Sequence, residues 1–232
     1  MLSILLLGFL IGVQHTMEAD HVAAVATLAS QSPSARRTLG LGAAWGLGHS
    51  VPLFLLGAAV LLTDWVLPAG LGRWLDFGVG LMLVALGGEL LVRVARRGIH
   101  VHPHRHGDGV LHVHAHAHAG DAAHDVPQHE HRHGRALTGK AILVGMVHGL
   151  AGSGPLILLT LETLHSFAWG LVYIAVFALG TLAGMALLTA VIALPLRYAA
   201  HRLTLVHAGL QAAVGLGTLA IGAYLAQSML WH

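Results

Sequence analysis

Six long apolar stretches constrain the fold of this chain more than any other feature of its sequence. They cover residues 2–28, 39–62, 71–94, 141–164, 168–194 and 203–225. Each provides the roughly 20 apolar residues that an α-helix needs to cross about 30 Å of hydrocarbon. Lipid offers the backbone no hydrogen bonds, so a helix, which satisfies its own polar groups, is the expected structure of each stretch. We therefore predict an all-α integral membrane protein with six transmembrane helices.

The composition agrees with this class and excludes several others. Charged residues make up 9% of the chain, against about a quarter in a typical soluble domain. There are no cysteines, which excludes disulfides, thiolate metal sites and cysteine nucleophiles. The net charge of +2 is too small to indicate nucleic-acid binding. The expected surroundings are therefore a lipid bilayer, and we predict no nucleic-acid partner.

The lysine and arginine residues indicate the orientation in the membrane. Eleven of the 12 fall in the first, third and fifth connections between apolar stretches, and Arg73 alone falls on the opposite side. Cytoplasmic connections carry the excess of positive charge in membrane proteins. We predict a multi-pass protein of the inner (cytoplasmic) membrane, with both termini outside the cytoplasm and the long central connection inside it.

The two halves of the chain match each other at a spacing near 133 residues. Gly12-x-x-His15 matches Gly145-x-x-His148, and residues 45–50 align with residues 177–182. A repeat of three helices crosses the membrane an odd number of times, so the second copy has the opposite topology. We predict two inverted three-helix repeats joined by a cytoplasmic segment, with boundaries at 1–97, 98–137 and 138–232. Inverted repeats are typical of transporters whose substrate site lies between the repeats near the membrane midplane.

The first apolar stretch contains an unusual group of polar residues, His15, Glu18, Asp20 and His21. Such groups are costly inside a bilayer and are retained where they pair, relay protons or bind ions. Imidazole nitrogen with carboxylate oxygen is a ligand set that suits nickel, cobalt, zinc or iron. We interpret the group as a metal site, the alternative being a polar cluster that only holds helices together.

Helix geometry leaves two roles open for Asp20. On an ideal helix Glu18 shares a face with His15 and with His21, whereas Asp20 points about 160° away from Glu18. Either Asp20 supports the ligands without binding metal, or the helix unwinds here, as helices at transporter sites often do. His49 in the second stretch and His148, the repeat counterpart of His15, complete the candidate set. For His49 the alternative is a hydrogen-bonded packing role.

The segment 98–137 is different in kind. It holds 12 histidines, mostly alternating with other residues. We predict that it is disordered without metal and binds divalent transition metals, the alternative being a solvated linker. The candidate ligands of this accessory metal-binding loop are His100, His102, His104, His106, His112, His114, His116, His118, His129, His131 and His133.

Two strings resemble those of a known family. His15-x4-Asp20-His21 with the apolar run after it, and Leu47-Gly48-His49-Ser50, are similar to the signature stretches of the nickel/cobalt transporter (NiCoT) family. The wider, NicO-like group includes six-helix nickel/cobalt exporters with a histidine-rich loop after the third helix. The resemblance implies that His15, Asp20 and His21 bind metal, with His49 nearby. The chain departs from NiCoT permeases in having six spans rather than eight, and Glu18 where aspartate is usual.

These observations predict a permease for a divalent transition metal, most simply Ni²⁺ or Co²⁺, with uptake as the expected direction. Zn²⁺ accepts the same ligands. The alternatives are efflux by the same site, or an accessory membrane protein that holds metal for a nickel enzyme and contacts its maturation proteins. We predict no enzyme activity, no catalytic residues and no cofactor. The enzyme alternative, an intramembrane metalloprotease, would need an HExxH motif in an apolar stretch, and none lies there. No GxxxxGK[ST] motif is present, which argues against ATP-driven pumping by this chain.

Overall fold

The structure of the protein is a computed structural model. It describes residues 2–32, 34–63, 68–96, 99–105, 111–117, 130–152, 166–202 and 204–228. Its helices are α1 (Leu2–His15), α2 (Ala19–Ser30), α3 (Ala35–Thr63), α4 (Ala69–Arg96), α5 (Glu130–Ala151), α6 (Phe167–Arg202) and α7 (Thr204–Ser228). Its strands are β1 (Ile99–Arg105) and β2 (Leu111–Ala117).

The described helices make this a multi-pass membrane protein. Four segments are long and apolar enough to cross a bilayer: Arg36–Thr63, Gly70–Arg96, Phe167–Leu194 and Val206–Ser228. Helices α1 and α2 together form a fifth such segment, bent by 59° at a short break. The apolar part of α5, Leu137–Ala151, is shorter, and the rest of the predicted fourth span lies outside the described residues. Six crossings therefore stay a prediction.

Small residues bring the helices into close contact. The most extensive packing joins α4 to α7, α3 to both α5 and α6, and α1 to α6. Gly12 of α1 lies against the carbonyl oxygen of Phe177, where a Cβ atom would collide with it. Gly80 of α4 and Gly222 of α7 approach each other in the same way. This is the packing expected in lipid, where close van der Waals contact replaces the hydrophobic effect between helices.

Apolar side chains lie both inside the bundle and on its outer surface. Trp45, Leu83 and Met185 are at most 1% exposed in the core. Leu55 and Leu62 of α3, by contrast, are 62% and 68% exposed, as expected of a lipid-facing surface. Buried hydroxyl groups join helices across the bundle, for example the Thr27–Thr218 hydrogen bond of 2.9 Å between α2 and α7.

The structure differs from the sequence-based prediction in the segment 98–137. Strands β1 and β2 form an antiparallel hairpin there, and α5 begins at Glu130, whereas we expected no regular structure. The physical reason is visible in the sequence. Histidines alternate with Ile99, Val101, Leu111 and Val113, and such a period of two is typical of a β-strand. The remainder of the segment lies outside the described residues, and the predicted boundaries at 97 and 138 stay predictions.

Candidate metal centre

A break between α1 and α2 brings two histidines together. Helix α1 ends at His15 and α2 begins at Ala19, so Thr16–Glu18 form a turn. Thr16 closes α1 by donating from its hydroxyl group to the carbonyl oxygen of Val13 at 2.7 Å. The rings of His15 and His21 lie 4.7 Å apart across the turn. The break thus answers the question left open by helix geometry, because it places Asp20 in the first turn of a new helix.

Four histidines from four helices converge at this break. The His49 ring, from α3, lies 5.4 Å from His15 and 5.2 Å from His21. The His148 ring, from α5, lies 4.9 Å from His21. His21, His49 and His148 are at most 1% exposed. Four imidazoles packed ring to ring in the interior of a membrane protein need a reason, because each carries two polar nitrogens that require partners.

The α5 backbone reaches this position through glycine. Gly145 and Gly149 flank His148 in α5 and lie against backbone atoms of Trp45 and His49 in α3. A Cβ atom at either glycine would collide with those atoms. The glycine spacing therefore allows α5 to approach α3 closely enough for His148 to join the group.

Hydrogen bonds define the tautomers of three of the histidines. Nδ1 of His15 lies 2.8 Å from Oε1 of Glu18, and Nδ1 of His21 lies 3.0 Å from Oδ1 of Asp20. Nδ1 of His148 lies 3.1 Å from the carbonyl oxygen of Val144. Each partner is an acceptor, so each Nδ1 donates a proton and Nε2 of the neutral ring holds a lone pair. This is the arrangement in which imidazole binds a metal through Nε2.

The nitrogens left over have no hydrogen-bond partner. Within the described part of the chain, Nε2 of His15, His21 and His148 and both nitrogens of His49 are buried without one. Nε2 of His148 lies 3.6 Å from Oδ2 of Asp20. Since neither atom of this pair carries a proton in the neutral tautomer, two acceptors face each other. A cation between them would remove the conflict.

The ligand atoms form two overlapping sets of three. One set is His15, His21 and His49, called here the His15–His49 set. The other is Asp20, His21 and His148, called here the Asp20–His148 set. In each set one ligand atom from every residue lies within 4.8 Å of the others. A metal ion bound at about 2.1 Å from each ligand fits ligand atoms spaced by less than about 4.2 Å, so small side-chain movements complete either set.

Five of the six residues predicted as ligands are thus brought together. Glu18 is the exception. Its side chain is 57% exposed and contacts Nδ1 of His15, and it belongs to neither set. A carboxylate in this position orients the imidazole and raises its basicity without touching the metal.

Two further residues lie at the site that were not among the predicted site residues. The Trp45 ring stacks on His21 at 5.7 Å and meets His148 edge-on at 5.5 Å. Gly152 lies beside His15, where a Cβ atom would be 3.2 Å from Nε2. An intramembrane tryptophan one turn before His49 was the available signal for the first. Gly152 belongs to the run of glycine and proline at 151–155, which predicts a hinge or close helix packing in the membrane, but nothing in that run pointed to His15.

The predicted accessory ligands lie apart from this centre in the chain. His100, His102 and His104 of β1 stand opposite His116, His114 and His112 of β2. His131 and His133 fall in the first turns of α5. His106, His118 and His129 lie outside the described residues. Metal binding by this segment stays a prediction.

Comparison with known proteins identifies the family. The chain is 32% identical over 225 residues to the urease accessory protein UreH of Bacillus sp. (strain TB-90), and the match covers 91% of this chain and 85% of the relative. No protein-family model matches the chain, and no solved structure matches it. With this identity over most of both sequences, the chain belongs to the UreH family of urease accessory proteins.

Proposed function

We propose that the protein is a membrane permease for Ni²⁺, which binds at His15, Asp20, His21, His49 and His148. The observation that carries the proposal is the group of buried imidazole nitrogens without partners around the Asp20 carboxylate. Polar groups of this kind are expensive in a membrane unless an ion or proton uses them. Mixed nitrogen and oxygen ligands suit a borderline divalent metal.

The relative with the urease accessory name supports nickel among the metals that fit. Urease is a nickel enzyme, so a protein that serves it in a membrane is expected to handle Ni²⁺. The proposed transport of this metal rests on the ligand sets and on the likeness of the His15–His21 and Leu47–Ser50 strings to NiCoT permeases. Co²⁺ and Zn²⁺ accept the same donors, so they are the competitors to include in a binding assay.

We propose further that the bundle consists of two inverted three-helix repeats with six crossings. Reciprocal contacts support this architecture. Gly12 lies against the Phe177 carbonyl, and its counterpart Gly145 lies against the Trp45 carbonyl. A second reciprocal pair of contacts agrees with it. Gly48 lies against Ile142, and Gly180, the counterpart of Gly48, lies against Phe9, the counterpart of Ile142. A two-fold axis relating the halves would produce such pairs, and it would pass near the histidines between α3 and α6.

Transport follows from this architecture. The site draws ligands from α1, α2 and α3 of the first half and from α5 of the second. Movement of one half against the other would open the site to each side of the membrane in turn. With both termini outside, uptake would deliver Ni²⁺ to the histidine-rich segment in the cytoplasm, and from there to proteins that mature a nickel enzyme. The protein has no catalytic step in this scheme.

A second candidate function is a membrane accessory protein that holds nickel for a nickel enzyme without moving it. The name of the UreH relative favours this role as much as transport. Purified protein in proteoliposomes with a nickel-sensitive dye inside separates the two. A permease admits Ni²⁺ along its gradient, whereas a holding protein binds it at the surface and leaves the interior unchanged.

The decisive cellular experiment measures nickel and cobalt by elemental mass spectrometry in cells that carry the wild type, His21→Ala, His207→Ala or an empty vector. His207 belongs to neither ligand set and serves as the matched histidine control. Metal above the vector level, lost in His21→Ala and kept in His207→Ala, indicates uptake. Metal below the vector level with the same mutant pattern indicates efflux. If all four strains match under nickel and cobalt challenge, transport of these metals is refuted.

A further inference from the structure

His21 is the one residue that the two ligand sets share among the described residues. Its two ring nitrogens lie on different edges of the imidazole. Nδ1 is 3.0 Å from Oδ1 of Asp20, on the side of the Asp20–His148 set. Nε2 is buried without a partner, and the ring centroids of His15 and His49 lie 4.7 and 5.2 Å from that of His21. Since Nδ1 contacts Asp20, it is the nitrogen within reach of the Asp20–His148 set, which leaves Nε2 for the His15–His49 set.

A neutral imidazole cannot serve both sets at once. It carries its proton on one nitrogen and a lone pair on the other. With the proton on Nδ1, donated to Asp20, His21 can bind metal only through Nε2. With the proton on Nε2, it can bind only through Nδ1. Occupation of one set through a neutral His21 therefore leaves the other set with only two protein ligands, and we expect the cluster to hold one ion at a time.

We propose that the two sets are consecutive binding positions for a single metal ion, which passes between them by exchanging one nitrogen of His21 for the other. This inference rests on the proposed permease function and adds the path within it. As the ion leaves Nε2, that nitrogen takes a proton from water, and Nδ1 gives its own proton to water before it binds the ion. One proton is gained and one is lost, so His21 stays neutral and the charge balances.

We expect the two sets to differ in their affinity for a divalent ion, for an electrostatic reason. Three neutral imidazoles leave a divalent ion with its full charge, whereas Asp20 cancels one unit of it. In a low-dielectric interior this difference favours the Asp20–His148 set. Three protein ligands also leave coordination positions open for water, as in metal sites that exchange their ligands. A transport site must bind weakly enough to release the ion. Two sites with three protein ligands each release an ion more readily than one site in which protein ligands fill every coordination position.

Trp45 keeps the shared residue in place during the exchange. It stacks on His21 and touches His148, and it is 1% exposed. Its ring covers one face of His21 and therefore opposes rotation of that imidazole about χ2. Trp45 is a positioning residue in this scheme and supplies no ligand.

The test uses full-length protein in lipid nanodiscs, in a background whose 12 histidines from His100 to His133 are replaced by asparagine so that only the cluster binds. Ni²⁺ stoichiometry comes from calorimetry, and the number of imidazoles per nickel comes from X-ray absorption. We expect one ion and two imidazoles in the wild-type cluster. His148→Ala removes the stronger set, so the ion moves to the His15–His49 set and its imidazole count rises to three. His49→Ala leaves the count at two.

Both variants are expected to keep one bound ion while losing transport into proteoliposomes by at least about tenfold. His21→Ala removes both sets and abolishes binding, and His207→Ala behaves as the wild type. His148→Gln replaces His148→Ala if the latter does not fold.

Different results overturn different claims. Two ions in the wild-type cluster, or loss of all binding in both His49→Ala and His148→Ala, refute the exclusive positions and leave the permease intact. A wild type that binds and transports no nickel refutes the proposed function itself, and the inference with it.

Discussion

Nε2 of His148 lies 3.6 Å from Oδ2 of Asp20, although the two residues belong to different halves of the chain. Helix α5 reaches Asp20 because Gly145 and Gly149 allow it to pack closely on α3. Asp20 reaches His148 because α1 ends at His15 and a second helix begins four residues later. The centre therefore depends on two separate structural features, a break in one helix and a close approach of another.

Replacement of Asp20 by asparagine tests the charge of this contact. Asp20→Asn keeps the size and the acceptor oxygen but removes the negative charge that favours a divalent ion over water. We expect the affinity for Ni²⁺ to fall by at least about tenfold, measured by calorimetry on purified protein. Glu89→Gln is the control, because Glu89 pairs with Arg93 and Lys140 and belongs to neither set. Equal affinities in the two variants would contradict a role for Asp20 in binding.

Substitution of Glu18 tests whether its carboxylate orients His15 or binds the metal directly. The carboxylate accepts a hydrogen bond from Nδ1 of His15 and is more than half exposed, so its removal should not impair folding. We expect Glu18→Ala to weaken binding by about tenfold, the lower end for a group that orients a metal-bound histidine, and Glu18→Gln to have a smaller effect. X-ray absorption should find the same ligands on nickel in the variant and the wild type. One fewer oxygen ligand in Glu18→Ala would show that Glu18 binds the metal, as the sequence predicts.

The sequence predicts the membrane class and most of the centre because both depend on local chemistry. Long apolar stretches and intramembrane histidines can be identified without any tertiary information. His148 was found through its repeat relation to His15. The position of Asp20, which an ideal helix would turn away from Glu18, left two explanations open, a supporting role for Asp20 or a break in the helix. The structure shows the break.

The remainder of the centre could not be predicted because it depends on tertiary contacts. Trp45 is one of several aromatic residues in apolar stretches, and only the packing of α5 on α3 places it between His21 and His148. Glu18 stands in the same string as the ligands, and only the structure shows that its carboxylate binds Nδ1 of His15 and belongs to neither set. For the segment 98–137 we predicted disorder from the polar composition, although its histidines alternate with apolar residues. The structure pairs His102 with His114 across a hairpin.

The contact between α4 and α7 predicts a pair of destabilising substitutions. A Cβ atom at Gly80 or Gly222 would collide with backbone atoms of the partner helix. Backbone cannot move aside as a flexible side chain can, so we expect Gly80→Ala and Gly222→Ala each to cost about 1–3 kcal/mol, seen as a lower melting temperature in detergent. Gly88→Ala in the same helix α4 is the control, because nothing lies within 4 Å of its Cβ position. Equal melting temperatures in all three variants would argue against this packing.

The absence of cysteines allows the predicted orientation to be tested directly. A single cysteine can be introduced at Ser3, Ser34 or Ser228, all of them exposed at helix ends. Positive charge in the first, third and fifth connections predicts that Ser3→Cys and Ser228→Cys react with a membrane-impermeant maleimide in intact cells or spheroplasts. Ser34→Cys should react only after permeabilisation. The opposite pattern would reverse the orientation and place the histidine-rich segment outside the cytoplasm.

Gly152 sets the space available to His15, so enlarging it should disturb metal binding without disturbing the fold. A Cβ atom there would lie 3.1 Å from Cε1 and 3.2 Å from Nε2 of His15, which forces the ring to move by a few tenths of an ångström. Metal sites tolerate displacements of about 0.5 Å poorly. We expect a graded loss of Ni²⁺ affinity, small in Gly152→Ala and about tenfold in Gly152→Val. Gly139→Ala in α5, with nothing within 4 Å, should bind as the wild type. If Gly152→Val binds equally well and melts at the same temperature, then Nε2 of His15 is not a ligand, and the His15–His49 set would lose one of its three members.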